Sequence, residues 1–471
     1  MSVTSIGLFP AGSPAAALAA ATRRSWPVLP VMILVALLAL PVPSDGGESG
    51  GGTVADAVSA LVVLWCVARA VRGARQPLTR TAAFVIGLPV VGIAVAAIGA
   101  STASAGVTGL ARYLQIFVLV PAAILVLVRD RHDFRLVAWS LIGLALFQGS
   151  LGVYQYVTGT GATYMGSDIR AVGTFGSTDV MGMATVVSYG VVCAVALALG
   201  PVSASASASA AARQRRMAVL CALLLMVPLA LSFSRGAWIA TVVACGAQLG
   251  LAGVRRALRV LAVTAAAGVV LVGGFGIGTQ MLQERITSIT QVTDAPDQSV
   301  TDRYTMWAAA VDMWSEHPVS GVGLKAFPDH RDSHASLALS SASDTGGAGA
   351  EFRRQPLLSP HNMYLLVLSE QGLLGLCTLV GSWAAFLLLG LRRLARVRGG
   401  PGVDCALVAC GLLVWQLVDF AYADIGGPST VLMAVVLGLV AWWALSDRVL
   451  SDRMLSDRAL SGRKLLGEVP R

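Results

Sequence analysis

Residues 217–253 read MAVLCALLLMVPLALSFSRGAWIATVVACGAQLGLAG and carry a single charge, Arg235. As one helix at about 1.5 Å per residue this stretch is roughly 55 Å long, far more than the roughly 30 Å of a bilayer's hydrocarbon core. Ser232, Phe233, Ser234 and Gly236 offer a break, so the stretch predicts two spans, 217–232 and 235–253, folded back on each other. Flanking charge gives an independent count. Arg213, Arg215 and Arg216 precede the stretch, and Arg255, Arg256 and Arg259 follow it. Both tracts share the positive, cytoplasmic face only if an even number of spans separates them.

Outward from this pair, apolar runs near 26–43, 53–71, 81–100, 113–128, 134–157, 178–200, 257–279, 362–390, 403–421 and 427–445 complete a set of twelve candidate transmembrane helices. Composition agrees. Of 471 residues 56% are hydrophobic and 13% charged, with a mean hydropathy of +0.73, against roughly 25% charged in soluble domains. This excludes a soluble enzyme, a secreted disulfide scaffold and a disordered tail protein. The net charge of +9 sorts by membrane side instead of pointing to nucleic acid: the positive-inside rule places 25 of the 34 Lys and Arg in the cytoplasm, with both termini. All seven cysteines lie in apolar stretches and read as small packing residues. Arg23 and Arg24 precede the first apolar run in the manner of a twin-arginine signal, but the many spans that follow make 26–43 a first span, not a cleaved leader.

The chain therefore divides into a cytoplasmic segment 1–25, N-terminal spans 26–216, a central block 217–390, C-terminal spans 391–445 and a tail 446–471. Val202–Ala212 (VSASASASAAA) is a small-residue linker. The tail repeats LSDRV, LSDRM, LSDRA and LSGRK with a period of five, which makes no stable helical stripe and reads as solvated. The one long outer loop, 280–361 between spans nine and ten, has 82 residues, ten acids, six bases and four of the five histidines. Within it Thr301 offers an N-cap to a helix bearing Tyr304, Trp307, Ala308, Val311 and Trp314, suited to the outer interface. Residues 335–350 read as mobile.

Three residues stand out chemically. Arg235, directly after the break, is either a snorkelling side chain or a fixed charge for phosphate, whose geometry an arginine fork matches. Arg303 offers a second fork, or else a surface pair with Asp302 or Glu316. His361 sits in LLSPHNMY (357–364), where Ser359 and Pro360 read as a helix start. A ring at that positive helix end stays neutral near pH 7 and can accept a proton; the alternative is a bland interfacial histidine. His330 and His334, with Asp329 and Asp332 nearby, have helical spacing for two zinc ligands but lack the glutamate and third ligand of HExxH, so no metal is expected. Walker, GxSxG and CxxC motifs are missing, which leaves nucleotide and serine hydrolysis without support.

The string SFSRGAW (232–238), then DRYTMWAAAVDMWSEHPVSGVGLKAF (302–327), then PHNMYLLVLSEQGLLGL (360–376) resembles the O-antigen ligase and O-antigen polymerase family of bacterial membrane glycosyltransferases. The resemblance covers about 217–390. IRAVGTFGSTDVMG (169–182) is similar to the family's upstream R-x2-G-x-F element, with Thr178-Asp179 where the family has Pro-Asn. The resemblance implies an all-α integral membrane fold of the GT-C kind and a polyprenyl-diphosphate-linked glycan donor. The implied acceptor is a glycan, lipid or protein hydroxyl, with transfer at the outer face of the cytoplasmic membrane and no cofactor or metal. It implies diphosphate binding by Arg235, Arg303 and Arg170, catalysis by His361, and turn-shaping or motif roles for His317, Pro318, Gly321, Gly323 and Asn362. A transporter or flippase of the same lipid-linked oligosaccharide is the competing expectation, since it too needs many spans and outer arginines.

Overall fold

The computed structural model describes residues 27–41, 54–73, 78–164, 168–179, 181–200, 208–253, 298–336, 339, 343–346, 352–355, 357–397, 400, 402–427 and 429–446. In chain order the helices are α1 (Leu29–Leu37), α2 (Val54–Arg72), α3 (Arg80–Ile98), α4 (Ala103–Leu127), α5 (Arg131–Thr158), α6 (Gly182–Leu199), α7 (Ala208–Leu231), α8 (Arg235–Ala252), α9 (Gln298–Glu316), α10 (Phe327–His334), α11 (Met363–Val397), α12 (Val403–Asp419) and α13 (Ser429–Leu445). Seven of them, α2 to α7 and α11, are long and apolar enough to cross a membrane. Helices stand at every predicted span except 257–279, which lies outside the described residues, as do residues 1–25 and the repeated tail from 447.

α6 and α12 are buried almost all round, so they form the centre, with α5, α7 and α8 packed about α6. Small residues let these helices approach: a Cβ at Gly190 of α6 would stand 2.3 Å from the Cβ of Ala145 on α5. On the outside Leu61, Leu64 and Val71 of α2 and Leu223, Leu224 and Val227 of α7 are exposed, which suits apolar side chains that face lipid.

The break at 232–234 is the one expected. Serines satisfy the backbone there: Ser232 Oγ donates to the Leu229 carbonyl at 2.7 Å and Ser234 Oγ caps α8 by accepting from Ala237 N at 3.3 Å. Trp238 Nε1 reaches back to the same Leu229 carbonyl at 2.7 Å and staples the two helices.

α11 contains the other decisive feature, a kink at Gly372 (φ +63°). The kink frees helix hydrogen-bonding groups, and the turn 317–324 takes them up. Val322 N and Gly323 N donate to the carbonyls of Ser369 and Glu370 at 2.9 and 3.0 Å, while Leu373 N and Leu374 N donate to those of Pro318 and Val319 at 2.9 and 3.2 Å. These backbone groups are thus paired across the kink. Only glycine fits: a Cβ at Gly321, Gly323 or Gly372 would stand 2.2 to 2.4 Å from facing backbone atoms.

The departure from an all-helical chain is a sheet of four short antiparallel strands, β1 (Ala162–Tyr164), β2 (Asp168–Arg170), β3 (Ser343–Gly346) and β4 (Phe352–Gln355), in the order β2-β1-β3-β4. It joins the loop after α5 to the loop before α11 through the pair Tyr164 and Thr345. Residues 343–346, read as mobile, thus stand in a paired strand. Two further expectations shift. α7 begins at Ala208, inside the expected linker, and α9 begins at Gln298, so Thr301 lies within the helix and is not its cap.

Candidate functional site

The loops after α5, α7, α10 and α12 meet at one end of the bundle. His361 has φ +49°, one of three non-glycine residues with positive φ among the described residues; the others are Phe233 and Lys325. Such a conformation is costly and needs support from its surroundings. Here Trp307 Nε1 of α9 donates to the Pro360 carbonyl at 2.8 Å. On the other side Met363 N donates to the carbonyls of Phe420 and Ala423 at 2.8 and 3.0 Å, and Asn362 Nδ2 to that of Ala421 at 3.2 Å. The histidine is thus clamped between α9 and the turn 420–427.

The helix start predicted at Ser359 and Pro360 lies three residues further on. Asn362 is the cap, its Oδ1 accepting from Leu365 N at 3.1 Å. His361 still precedes the first turn of α11. Burial pushes its imidazole below the ordinary histidine value; Asp424 opposes the fall and Arg303 adds to it. A neutral ring with a carboxylate and a guanidinium in electrostatic reach is what a proton acceptor beside an anionic group requires.

Arg303 stands in α9 next to the buried Asp302 and one residue before the exposed Tyr304. Glu316, one expected partner, pairs instead with His334, whose Nε2 lies 3.3 Å from Glu316 Oε2. α9 has two apolar faces. Met306, Ala309, Ala310 and Met313 are buried, whereas Tyr304 and Val311 of the expected interfacial stripe are exposed. The sequence reading saw the second face and missed the first.

Arg235 is the first residue of α8 and partly buried. A Cβ on its neighbour Gly236 would stand 3.2 Å from Tyr422, so the start of α8 rests on the turn that also holds His361. Arg170 ends β2, and the R-x2-G-x-F segment after it is held by two glutamines on α5. Gln155 Oε1 accepts from Gly173 N at 2.8 Å, and Gln148 Oε1 accepts from Thr174 N at 3.0 Å. Asp179 Oδ2 then accepts from Ser429 N at 3.0 Å, at the start of α13.

His317, Pro318, Gly321 and Gly323 lie in the turn that fills the α11 kink, beyond the far end of α9 from Arg303. Glu370 secures the far side of that turn by accepting from Phe327 N at 3.3 Å. His330 and His334 share a face of α10, but their Nδ1 atoms lie 3.0 and 2.8 Å from the carbonyls of Ala326 and His330. These contacts turn the rings onto the helix backbone instead of toward a common ligand.

Sequence reasoning missed Asp424, Gln148 and Gln155. Asp424 Oδ2 is buried and accepts no hydrogen bond among the described residues. The signal was present: an acid in the short, glycine-rich link ADIGGP between two spans. The glutamines were hidden in an apolar span, where a buried amide is costly unless it binds backbone.

No curated protein matches the chain. Residues 219–380 match the family model for O-antigen ligase. The match begins in α7, takes in Arg235, Arg303 and His361, and ends within α11 beyond the Gly372 kink. Over that region this multi-pass membrane chain is similar to the O-antigen ligase domain, which supports a kinship with O-antigen ligase and polymerase type proteins.

Proposed function

We propose that this protein transfers a glycan from a polyprenyl-diphosphate carrier to an acceptor hydroxyl at the outer face of the cytoplasmic membrane, as a ligase or a surface-polysaccharide polymerase. The observation that carries the reading is the convergence of Arg303, His361 and Asp424, distant in sequence, at one end of the bundle. Neutral His361 takes the proton of the acceptor hydroxyl as its oxygen bonds to the anomeric carbon. The bond from that carbon to the phosphate oxygen breaks, and the diphosphate leaves with the electron pair. Arg303 and Arg235 stabilise the charge that gathers on it, in the role a divalent ion plays elsewhere, and Asp424 steadies the transient imidazolium. Arg170, at the end of β2, is the third arginine for the carrier. The arginine-rich loops lie at the opposite end of the helices, which supports an outer location for the site and a cytoplasmic location for both termini.

Mass analysis of lipid-linked and surface glycans, with and without the gene, tests the proposal. Long surface chains reduced to one repeat unit mean a polymerase; intact chains stranded on the carrier mean a ligase. Unchanged glycans in both pools overturn the reading. Turnover of purified protein that persists in excess chelator is expected, and a loss restored by zinc or magnesium overturns the arginine-only account.

A further inference from the structure

The turn that carries Asp424 within electrostatic reach of His361 is tied down from outside the site. Arg112, on α4, pairs with Asp56 at the start of α2, and its Nη2 donates to the Gly427 carbonyl at 3.2 Å. Gln115, at the head of a π-helical turn in α4, fixes the same carboxylate: its Nε2 lies 3.1 Å from Asp56 Oδ1 and 2.6 Å from Ser59 Oγ. On the opposite side of the turn stands Asp179, bonded to Ser429 N. Gly427 has φ +66°, and a Cβ there would stand 2.7 Å from the Asp179 carboxylate. Gly427 is thus gripped between α4 and the loop before α6, three residues beyond Asp424. An ion pair alone would need only a lysine; a planar fork can hold a carboxylate and a carbonyl together.

We propose that Arg112 is a positioning residue: its guanidinium links Asp56 to the Gly427 carbonyl and so holds the 420–427 turn where Asp424 faces His361. The inference rests on the reading of His361 as the base. Among the described residues Asp424 from the turn and Arg303 from α9 act on that ring. If the link is cut, Asp424 draws away and Arg303 stays. The attraction for the proton then weakens, and His361 titrates at lower pH.

The test is an NMR titration of carbon-13-labelled histidines in the full-length protein in lipid nanodiscs, with His361→Gln assigning the resonance among five histidines. Arg112→Lys is expected to lower the pKa of His361 by about half a unit or more, and to change nothing further in an Asp424→Asn background, because the effect runs through that carboxylate. An unchanged value in Arg112→Lys, or an equal fall in the Asp424→Asn background, overturns the proposal. Asp56→Asn reads the same link if Arg112→Lys does not accumulate: a smaller fall in the same direction is expected, and no fall also overturns it. The titration needs no turnover, so a wild type without transferase activity would sink the proposed function and leave this result standing.

Discussion

At one end of the bundle Arg129, Arg135 and Arg393 are engaged by structural partners. Arg129 Nε lies 2.9 Å from Asp133, Arg135 Nε lies 2.5 Å from Asp404, and Arg393 donates to the carbonyls of Trp443 and Ser446 at the end of α13. At the other end Arg303 shares its surroundings with a neutral histidine and a carboxylate whose buried Oδ2 accepts no hydrogen bond among the described residues. The same side chain closes helix ends in one place and, in the proposed function, supplies charge for the reaction in the other. The distinction lies in the neighbours: helix C-terminal carbonyls and acids satisfy a guanidinium, whereas a buried imidazole competes with it for an anion.

The comparison breaks most sharply at His361. Its replacement by Ala should lower turnover by a factor on the order of 10² to 10⁴, with folded amount and donor binding retained. As base it must be neutral, so activity falls as pH drops through its pKa, which lies below the ordinary histidine value. The acid limb of the profile is therefore expected below about pH 6.5, and activity should hold at pH 7. His361→Gln keeps size and hydrogen bonding but cannot take the proton. Full turnover by that variant would reduce the histidine to a helix-start residue.

Gly372 tests whether the site end needs its kink. A Cβ there meets the Val319 carbonyl at 2.3 Å in a backbone conformation that L side chains avoid. Gly372→Ala should cost roughly 2–4 kcal/mol and lower the thermal midpoint in detergent. Gly381→Ala, on the same helix, meets only Leu88 at 3.4 Å and serves as the neutral comparison. Equal midpoints for the two variants would show that the turn in the kink is not what holds α11 bent.

Asp179 separates charge from capping. Burial raises its carboxyl to about 6, against which hydrogen bonds from Ser429 and Gly182 pull only partly. A folded value above the unfolded one means the neutral form is favoured: that contribution is full below the unfolded value near 4 and is lost as pH rises through about 6. Asp179→Asn keeps an acceptor for Ser429 N without the charge. It should stabilise the protein by about 1–2 kcal/mol at pH 7 and flatten its stability between about pH 4 and 7. An Asn variant no more stable at pH 7 would show that the carboxylate is already compensated.

The bundle was legible because its signals are local. Span length, the serines at 232–234 and arginine tracts each act within a few residues of where they are read. Motif order singles out Arg235, Arg303 and His361, and the structure sets Arg303 within electrostatic reach of His361. Asp424 was not legible, since nothing in ADIGGP states which residue its acid will approach; that is set by hydrogen bonds to the turn from the Asn362 side chain and Met363 N, some sixty residues upstream. The Gly372 kink was hidden for a related reason. A glycine in a long apolar helix is ordinary, and only the arrival of Pro318 and Val319 turns it into a socket.

The smallest expected effect sharpens the contrast between the two ends. Arg303→Lys and Arg235→Lys keep the charge but lose the bidentate fork, so donor concentration dependence should weaken by about threefold to tenfold at each position. The same exchange at Arg135 should leave donor dependence alone and lower thermal stability instead, because Asp404 is buried and loses a matched partner. The measurement pairs an initial-rate curve in donor with a thermal unfolding midpoint for all three variants. If Arg303→Lys and Arg235→Lys match wild type in the rate curve and fall in midpoint as Arg135→Lys does, the arginines at the site end are structural too. The diphosphate must then be held by other groups, of which Arg170 on β2 is the next to exchange.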